Sequence, residues 1–266
     1  MNTNRTFTIE LTSAALHILA MVFMLLDHLW AAFALQDWMT CVGRLAYPIF
    51  AFLLVEGFYH TRDRKNYIKR MVIFAVISEL PFNLMYSGSL FYPIHQNVLW
   101  TFVLALCGLC LMEKARHNYR LPAFFAVCAG VTLLGFVLGF LLFVDYYGCG
   151  VVTVFVFYFF YREREENLIA ALCKNGPRAK ALWTAFCLVG QLLCLYIINV
   201  KLLGGLYYPV RILGREFELV QQGLALLALI PIWLYRGRQG YHARWFQYFN
   251  YWFYPVHCLL LGLLSL

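Results

Sequence analysis

The sequence predicts an all-α, polytopic transmembrane bundle of about nine helices, and three observations carry that expectation. Of 266 residues, 63% are hydrophobic and 13% charged, with a mean hydropathy of +0.69, whereas a soluble domain carries about 25% charged residues. Apolar windows near the roughly 20 residues that cross a bilayer recur from one end to the other. Lysine and arginine alternate between them in a one-sided pattern. No stretch has the composition of an independent water-soluble domain, so residues 1–266 read as a single integral membrane domain.

Taken in order, the expected spans are 11–33, 43–60, 69–86, 96–112, 121–143, 147–161, 181–200, 218–235 and 248–266. The first resembles a signal peptide at Ala32-Phe33-Ala34, but its basic flank is thin and Asp27-His28 interrupts the apolar run, so it reads as a retained helix. The second contains Pro48 and the sixth is short, so either leaves room for a broken or re-entrant segment. Neither internal repeats nor low-complexity stretches are visible.

The basic residues test this count. Loops assigned to one side hold Arg62, Arg64, Lys65, Lys69 and Arg70, then Lys114, Arg116 and Arg120. The same side receives Arg162, Arg164, Lys174, Arg178 and Lys180, then Arg236, Arg238 and Arg244, with Arg5. Of the 21 lysines and arginines only Arg44, Lys201, Arg211 and Arg215 fall opposite. Positive loops stay in the cytoplasm, which predicts a multi-pass protein of the cell membrane with its N-terminus cytoplasmic and its C-terminus outside. The net charge of +8 follows from these loops, so lipids, not nucleic acid, are the expected surroundings.

Nine cysteines do not form a disulfide framework, since most, such as Cys128 and Cys258, lie in apolar segments as small packing residues. Cys107-x-x-Cys110 sits in mid-helix without further ligands, so no metal is expected. Cys41 and Cys149 fall in loops on the outer side, where a bridge stays open.

Ionisable groups within a span cost ~2.5–3.5 kcal/mol at a helix centre and face a bundle interior or a wet cavity. His17 and His28 are separated by 11 residues, which returns them to within about 20° of one face, about 16 Å apart along the axis. Ser13, Met21 and Met24 share that stripe. Asp27 points about 100° away from His28 and so serves a neighbouring helix or turn. Glu56 pairs with His60 in the second span, Glu79 with Asn83 around Pro81 in the third, and Asn97 with Thr101 in the fourth. Glu218, Gln221 and Gln222 open the eighth, while Asn250, Tyr254 and His257 line the ninth.

Amides and hydroxyls at such positions are interhelical glue worth ~0.6 kcal/mol per bond. The costlier His28, Glu56, Glu79 and His257 are the candidates for chemistry, and Arg44 at the outer mouth is placed to snorkel. No Gly-rich phosphate loop, serine elbow or H-E-x-x-H helix occurs. The residues alone therefore leave two classes open, a catalyst and a proton-linked carrier.

Several strings carry a resemblance: Met24-Leu-Leu-Asp-His-Leu29, the block from Gly43 through Tyr47-Pro-Ile-Phe and Val55-Glu-Gly-Phe-Tyr-His60 to Arg62, and Ile77-Ser-Glu-Leu-Pro-Phe-Asn-Leu84. His95-Gln-Asn-Val98, Asp145-Tyr-Tyr-Gly-Cys-Gly150, the Gln222–Pro231 helix and Tyr251-Trp-Phe-Tyr-Pro-Val-His257 follow in order. Across nearly the whole chain the sequence resembles the TraX family, known for acetylating the N-terminus of conjugative pilin and grouped with type 3 membrane acyltransferases. The resemblance implies an acyltransferase-3-like bundle and an acetyl-CoA-dependent acetyltransferase of the bacterial inner membrane, active in fimbrial acetylation or conjugation. Its donor would be cytoplasmic acyl-CoA, and its acceptor a pilin N-terminus, a cell-surface glycan or a small amine.

By the same resemblance His28 would be the general base, with a carboxylate (Asp27, or Glu56 or Glu79 from another helix) orienting it. His17, Arg44 and Asn97, with Asp145, Gln222, Tyr254 and His257, would contact the donor or acceptor. Type 3 enzymes carry Arg-x10-His in the first helix, and here His17 stands at the basic position, so a permanent cation is missing. No metal is expected. The competing classes are a proton-linked transporter and a non-catalytic assembly protein of a secretion or pilus apparatus.

Overall fold

The computed structural model describes residues 10–162, 177–212 and 214–266. Its helices are α1 (Ser13–Phe33), α2 (Trp38–Gly43), α3 (Ala46–His60), α4 (Arg64–Ser87), α5 (Val98–Asn118), α6 (Leu121–Leu141) and α7 (Tyr147–Phe159). Then come α8 (Pro177–Tyr196), running into a π-helix at Ile197–Leu203, and an antiparallel hairpin of β1 (Tyr207–Ile212) and β2 (Arg215–Val220) with Tyr207 opposite Val220. A 3-10 helix (Gln221–Ala228) leads into α9 (Leu229–Leu234), and α10 (Arg244–Ser265) closes the chain.

Each expected span meets a helix or a joined helical pair among the described residues, giving an all-α helical bundle. Five are long and apolar enough to cross a membrane: α1, the α2–α3 pair, α5, α6, and α8 with its π-helix. The α7 and 221–234 segments are shorter but apolar. Arg5, Arg164 and Lys174 of the basic loops lie outside the described residues. Glu218 departs from expectation, because it lies in β2 instead of opening the eighth span. Within that strand Glu216-Phe217-Glu218-Leu219 alternates charged and apolar residues, a period that suits a strand.

Caps fix where the helices begin. The Thr12 hydroxyl accepts the Ala15 N–H at α1, the Asp63 carboxylate accepts the Asn66 N–H at α4, and the Asn97 side chain accepts the Leu99 N–H at α5. Gly88, left-handed at φ 65°, ends α4.

Helix α3 is the central post, buried along nearly its whole length against α1, α5 and α7. Leu16 of α1, Ile49 and Phe58 of α3, Leu106 and Leu109 of α5, and Phe155 of α7 fill that core. By contrast, α6 turns Leu133, Leu134, Val137 and Leu141 outward, a lipid-facing stripe. Association of helices in lipid relies on close packing, and α6 meets α7 backbone to backbone, because a Cβ at Gly139 would stand 2.6 Å from Gly148 Cα. Helix α10 lies along α4 and against α1.

One end of the bundle gathers the start of α1 with the 235–239 loop: Ser13 N donates to Arg238 O, and Arg162 donates to the Trp233 and Tyr235 carbonyls. The other end gathers Asp27, Thr40, Gln221 and Gln222.

Candidate functional site

Helices α1 and α10 cross where His28 and His257 meet. His28 Nδ1 lies 2.7 Å from His257 Nε2, and His257 Nδ1 lies 2.6 Å from the Phe253 carbonyl oxygen. A carbonyl only accepts, so His257 carries its proton on Nδ1. With both rings neutral, His257 Nε2 is then an acceptor and His28 Nδ1 the donor. That order leaves the lone pair of His28 on Nε2, the arrangement of an oriented general base. The rings stack at 4.9 Å, Phe253 stacks on His257 at 4.8 Å, and Tyr254 stands edge-on to both histidines. The Cys258 thiol lies 3.8 Å from His28 Nδ1 and 3.7 Å from His257 Nε2.

Beside this pair, Asp27 faces α2. It accepts from Arg44 and from the Thr40 hydroxyl at 2.7 Å. Gly43 makes this approach possible, since a Cβ there would come within 2.4 Å of Asp27 Cβ. Thr40 also receives Gln221 Nε2 at 3.1 Å; Arg44 reaches Gln222 Oε1 at 3.5 Å, and Gln222 donates to Asn199 Oδ1 at 3.0 Å. Asn199 lies in the π-helix and both glutamines in the 3-10 helix. Both are irregular windings of a kind that often marks a functional element.

Two further clusters flank the pair. His95 Nε2 lies 3.3 Å from Asp145 Oδ1, and the Asp145 carbonyl accepts from Thr101 at 2.7 Å. Burial raises the neighbouring Tyr146 phenol above its ordinary pKa while Arg44 opposes, so this loop tyrosine stays neutral. Glu79 accepts from the Asn97 side chain and from Trp100 Nε1 at 3.1 Å, while Asn97 also donates to the Ala75 carbonyl at 2.9 Å.

A cavity of about 810 Å³ approaches the histidines from the other end. Its walls run from the loop residues Thr61, Gly237, Gln239 and His242 past His17, His60 and Arg70 to Met24, Val98, Phe253 and Tyr254. Met24 and Phe253 lie one helical turn before His28 and His257, so the cavity ends beneath the imidazole pair. Glu56 is part of its wall, with its oxygens accepting from Tyr161 and Tyr235, each at 2.5 Å. His17 donates from Nδ1 to the Ser13 carbonyl at 2.9 Å.

The structure thus brings Asp27, His28, Arg44, Gln222, Tyr254 and His257 to one level, with Asp145 close by. It pairs Glu79 with Asn97 on α4 and α5, and sets His17 and Glu56 along the cavity. His257, not a carboxylate, meets the His28 ring, because Asp27 is held by Arg44 and Thr40. Thr40, His95, Trp100, Asn199, Tyr161 and Tyr235 join these clusters without having been expected as site residues. Thr40 had a readable signal, four residues before Arg44 on one helical face; Asn199 had none. Cys41 and Cys149 are free thiols.

Comparison with known proteins covers the same ground. Residues 12–265 match the family described as TraX protein. A protein of Dichelobacter nodosus described as a probable fimbrial assembly protein FimC, serogroup H1, is 30% identical over 269 residues, which take in 95% of each chain. No solved structure matches. The matched region contains every cluster described above, and the chain belongs to the TraX family.

Proposed function

We propose that this membrane protein transfers an acetyl group from acetyl-CoA to an amine or hydroxyl of an acceptor, with His28 as general base. The observation that carries this reading is the hydrogen-bond chain from the Phe253 carbonyl through His257 to His28, which leaves a lone pair on His28 Nε2. His257 orients that ring, the part usually taken by a carboxylate. The base removes the acceptor proton as the acceptor attacks the thioester carbon.

The cavity suits the donor. Its volume lies within the roughly 300–1,000 Å³ of ligand sites, and its inner end, at Met24 and Phe253, lies one helical turn from the base. Asn250, Gln239 and Gln247 on its walls match the amides and hydroxyl of a pantetheine arm, and Arg70, His60 and His242 near the loop end match its phosphates. His17 would touch the arm midway. Glu56, tied to two tyrosines, holds the wall in shape.

The acceptor would arrive at the opposite end, where Arg44, Gln222 and Asp145 surround His28, and Glu79 with Asn97 fixes the start of α5. The one-sided basic loops favour a donor end that faces the cytoplasm. The fimbrial assembly description of the Dichelobacter relative favours a fimbrial subunit, modified at its N-terminus, over a surface glycan.

Membranes bearing the wild-type chain, His28→Ala or no chain, incubated with acetyl-labelled CoA and fimbrial subunits, test this reading. Label on the subunit with wild type alone supports it. Equal label in all three, with competent donor and acceptor present, rejects it.

A further inference from the structure

Helix α5 begins at the inner end of the cavity. Its first residue, Val98, lines that end together with Leu99 and Tyr254. Three N–H groups of its entry are already engaged: Leu99 N with the Asn97 side chain, Trp100 N with the Asn97 carbonyl, and Asn97 N with Glu79. The Val98 N–H lies next to the Tyr254 hydroxyl.

Tyr254 is 6% exposed, and its hydroxyl has no hydrogen-bond partner. A buried phenol without a partner costs ~1–3 kcal/mol, so a ligand atom that completes it is favoured. Its ring lies 6.1 Å, centroid to centroid, from that of His28. A helix start contributes a positive field of about half a charge, and anions settle there.

We infer that the Val98 N–H and the Tyr254 hydroxyl form an oxyanion site that receives the thioester carbonyl oxygen of the donor. The inference rests on the acyltransferase reading above and names the residues that would stabilise its transition state. The acceptor nitrogen or oxygen bonds to the carbonyl carbon while its proton passes to His28 Nε2. The carbonyl electron pair moves onto oxygen, where Tyr254 O–H and Val98 N–H donate to it. The pair then returns, the C–S bond breaks, and the CoA sulfur takes the proton from His28. Acyl-CoA and H–X become acyl–X and CoA–SH. An oxyanion donor acts on the transition state far more than on the bound substrate, so its loss falls on turnover.

The test compares wild type, Tyr254→Phe and Tyr47→Phe for acetyl transfer and for acetyl-CoA binding, with turnover expressed per binding site so that misfolded protein does not count. Tyr47 is a second buried hydroxyl without a partner, but it stacks on Tyr146, away from the cavity. Tyr254→Phe should lower kcat by about 10²–10³-fold with donor affinity unchanged, and Tyr47→Phe should match wild type. An active wild type with kcat kept in Tyr254→Phe, or with only binding lost, overturns the oxyanion site and leaves the transferase reading standing. An inactive wild type overturns both.

Discussion

His28 and His257 stand 229 residues apart in the sequence and 2.7 Å apart at their ring nitrogens. The second imidazole sets the tautomer of the first, and the Phe253 carbonyl sets the tautomer of the second. His257→Phe keeps the aromatic packing on Phe253 and Tyr254 but removes the acceptor. Acetyl transfer should then fall about tenfold or more, while His28→Ala should lose about 10²–10⁴-fold. Single-turnover assays on membranes matched for protein level measure both. Unchanged turnover in His257→Phe would separate the second histidine from catalysis.

Gly43 gives a structural prediction. In Gly43→Ala the new methyl meets Asp27, and overpacking of this kind costs about 1–3 kcal/mol. Thermal unfolding in detergent should show a lowered Tm. Adding Asp27→Ala to Gly43→Ala should cost less than the two changes summed, since the first removes the Oδ1 and Cγ that the new methyl strikes and leaves only the Cβ contact.

Asp27 and Arg44 are each about one-fifth exposed at the side chain. Removing Asp27 alone leaves the guanidinium on the neutral oxygens of Thr40 and Gln222 without its carboxylate, a loss that approaches that of a broken buried pair, about 3–5 kcal/mol. Asp27→Ala should therefore be less stable than the double variant Asp27→Ala with Arg44→Met. Urea or thermal titration of the purified proteins orders them.

At the far end of the cavity, Arg70→Ala should raise KM for acetyl-CoA about three- to tenfold and leave kcat in place, the signature of lost uniform binding. The difference should shrink as salt is added. A kcat effect would place Arg70 nearer the chemistry than the cavity wall does.

Glu56→Gln replaces a carboxylate that accepts two tyrosine hydroxyls by an amide whose nitrogen cannot accept. Charge-assisted bonds of this kind contribute about 1.5–3 kcal/mol, and loss of that order should appear in the unfolding free energy. Donor affinity should weaken with it, because Glu56 shapes the cavity wall.

The spans were legible because bilayer thickness fixes the length of an apolar run, and Pro, Gly and basic loops punctuate it. The offset of Asp27 from His28 on a helix of 3.6 residues per turn already turned the carboxylate towards another element, which is α2. The meeting of His28 with His257 was not legible, for no local pattern encodes a contact between the first and last helices. The same holds for Glu79 with Asn97 and for Gln222 with Asn199. Arg44 read as a snorkelling cation, since its partner sits in a different helix. The hairpin at Tyr207–Val220 was hidden because its strands run directly into the apolar 221–234 segment.

The cavity and the Asp27–Arg44 cluster enter the bundle from opposite ends, and between them lies a stack of the Phe253, His257 and His28 rings with Tyr254 edge-on to the histidines. A cell that lives on its membrane potential loses energy through any wet path joining its two faces. Flat rings in close contact leave little room for a file of water, so a layer of this kind suits a seal between the two faces. On the proposed reading, the acyl carbon would reach this layer from the cavity and the nucleophile from the Asp27–Arg44 side.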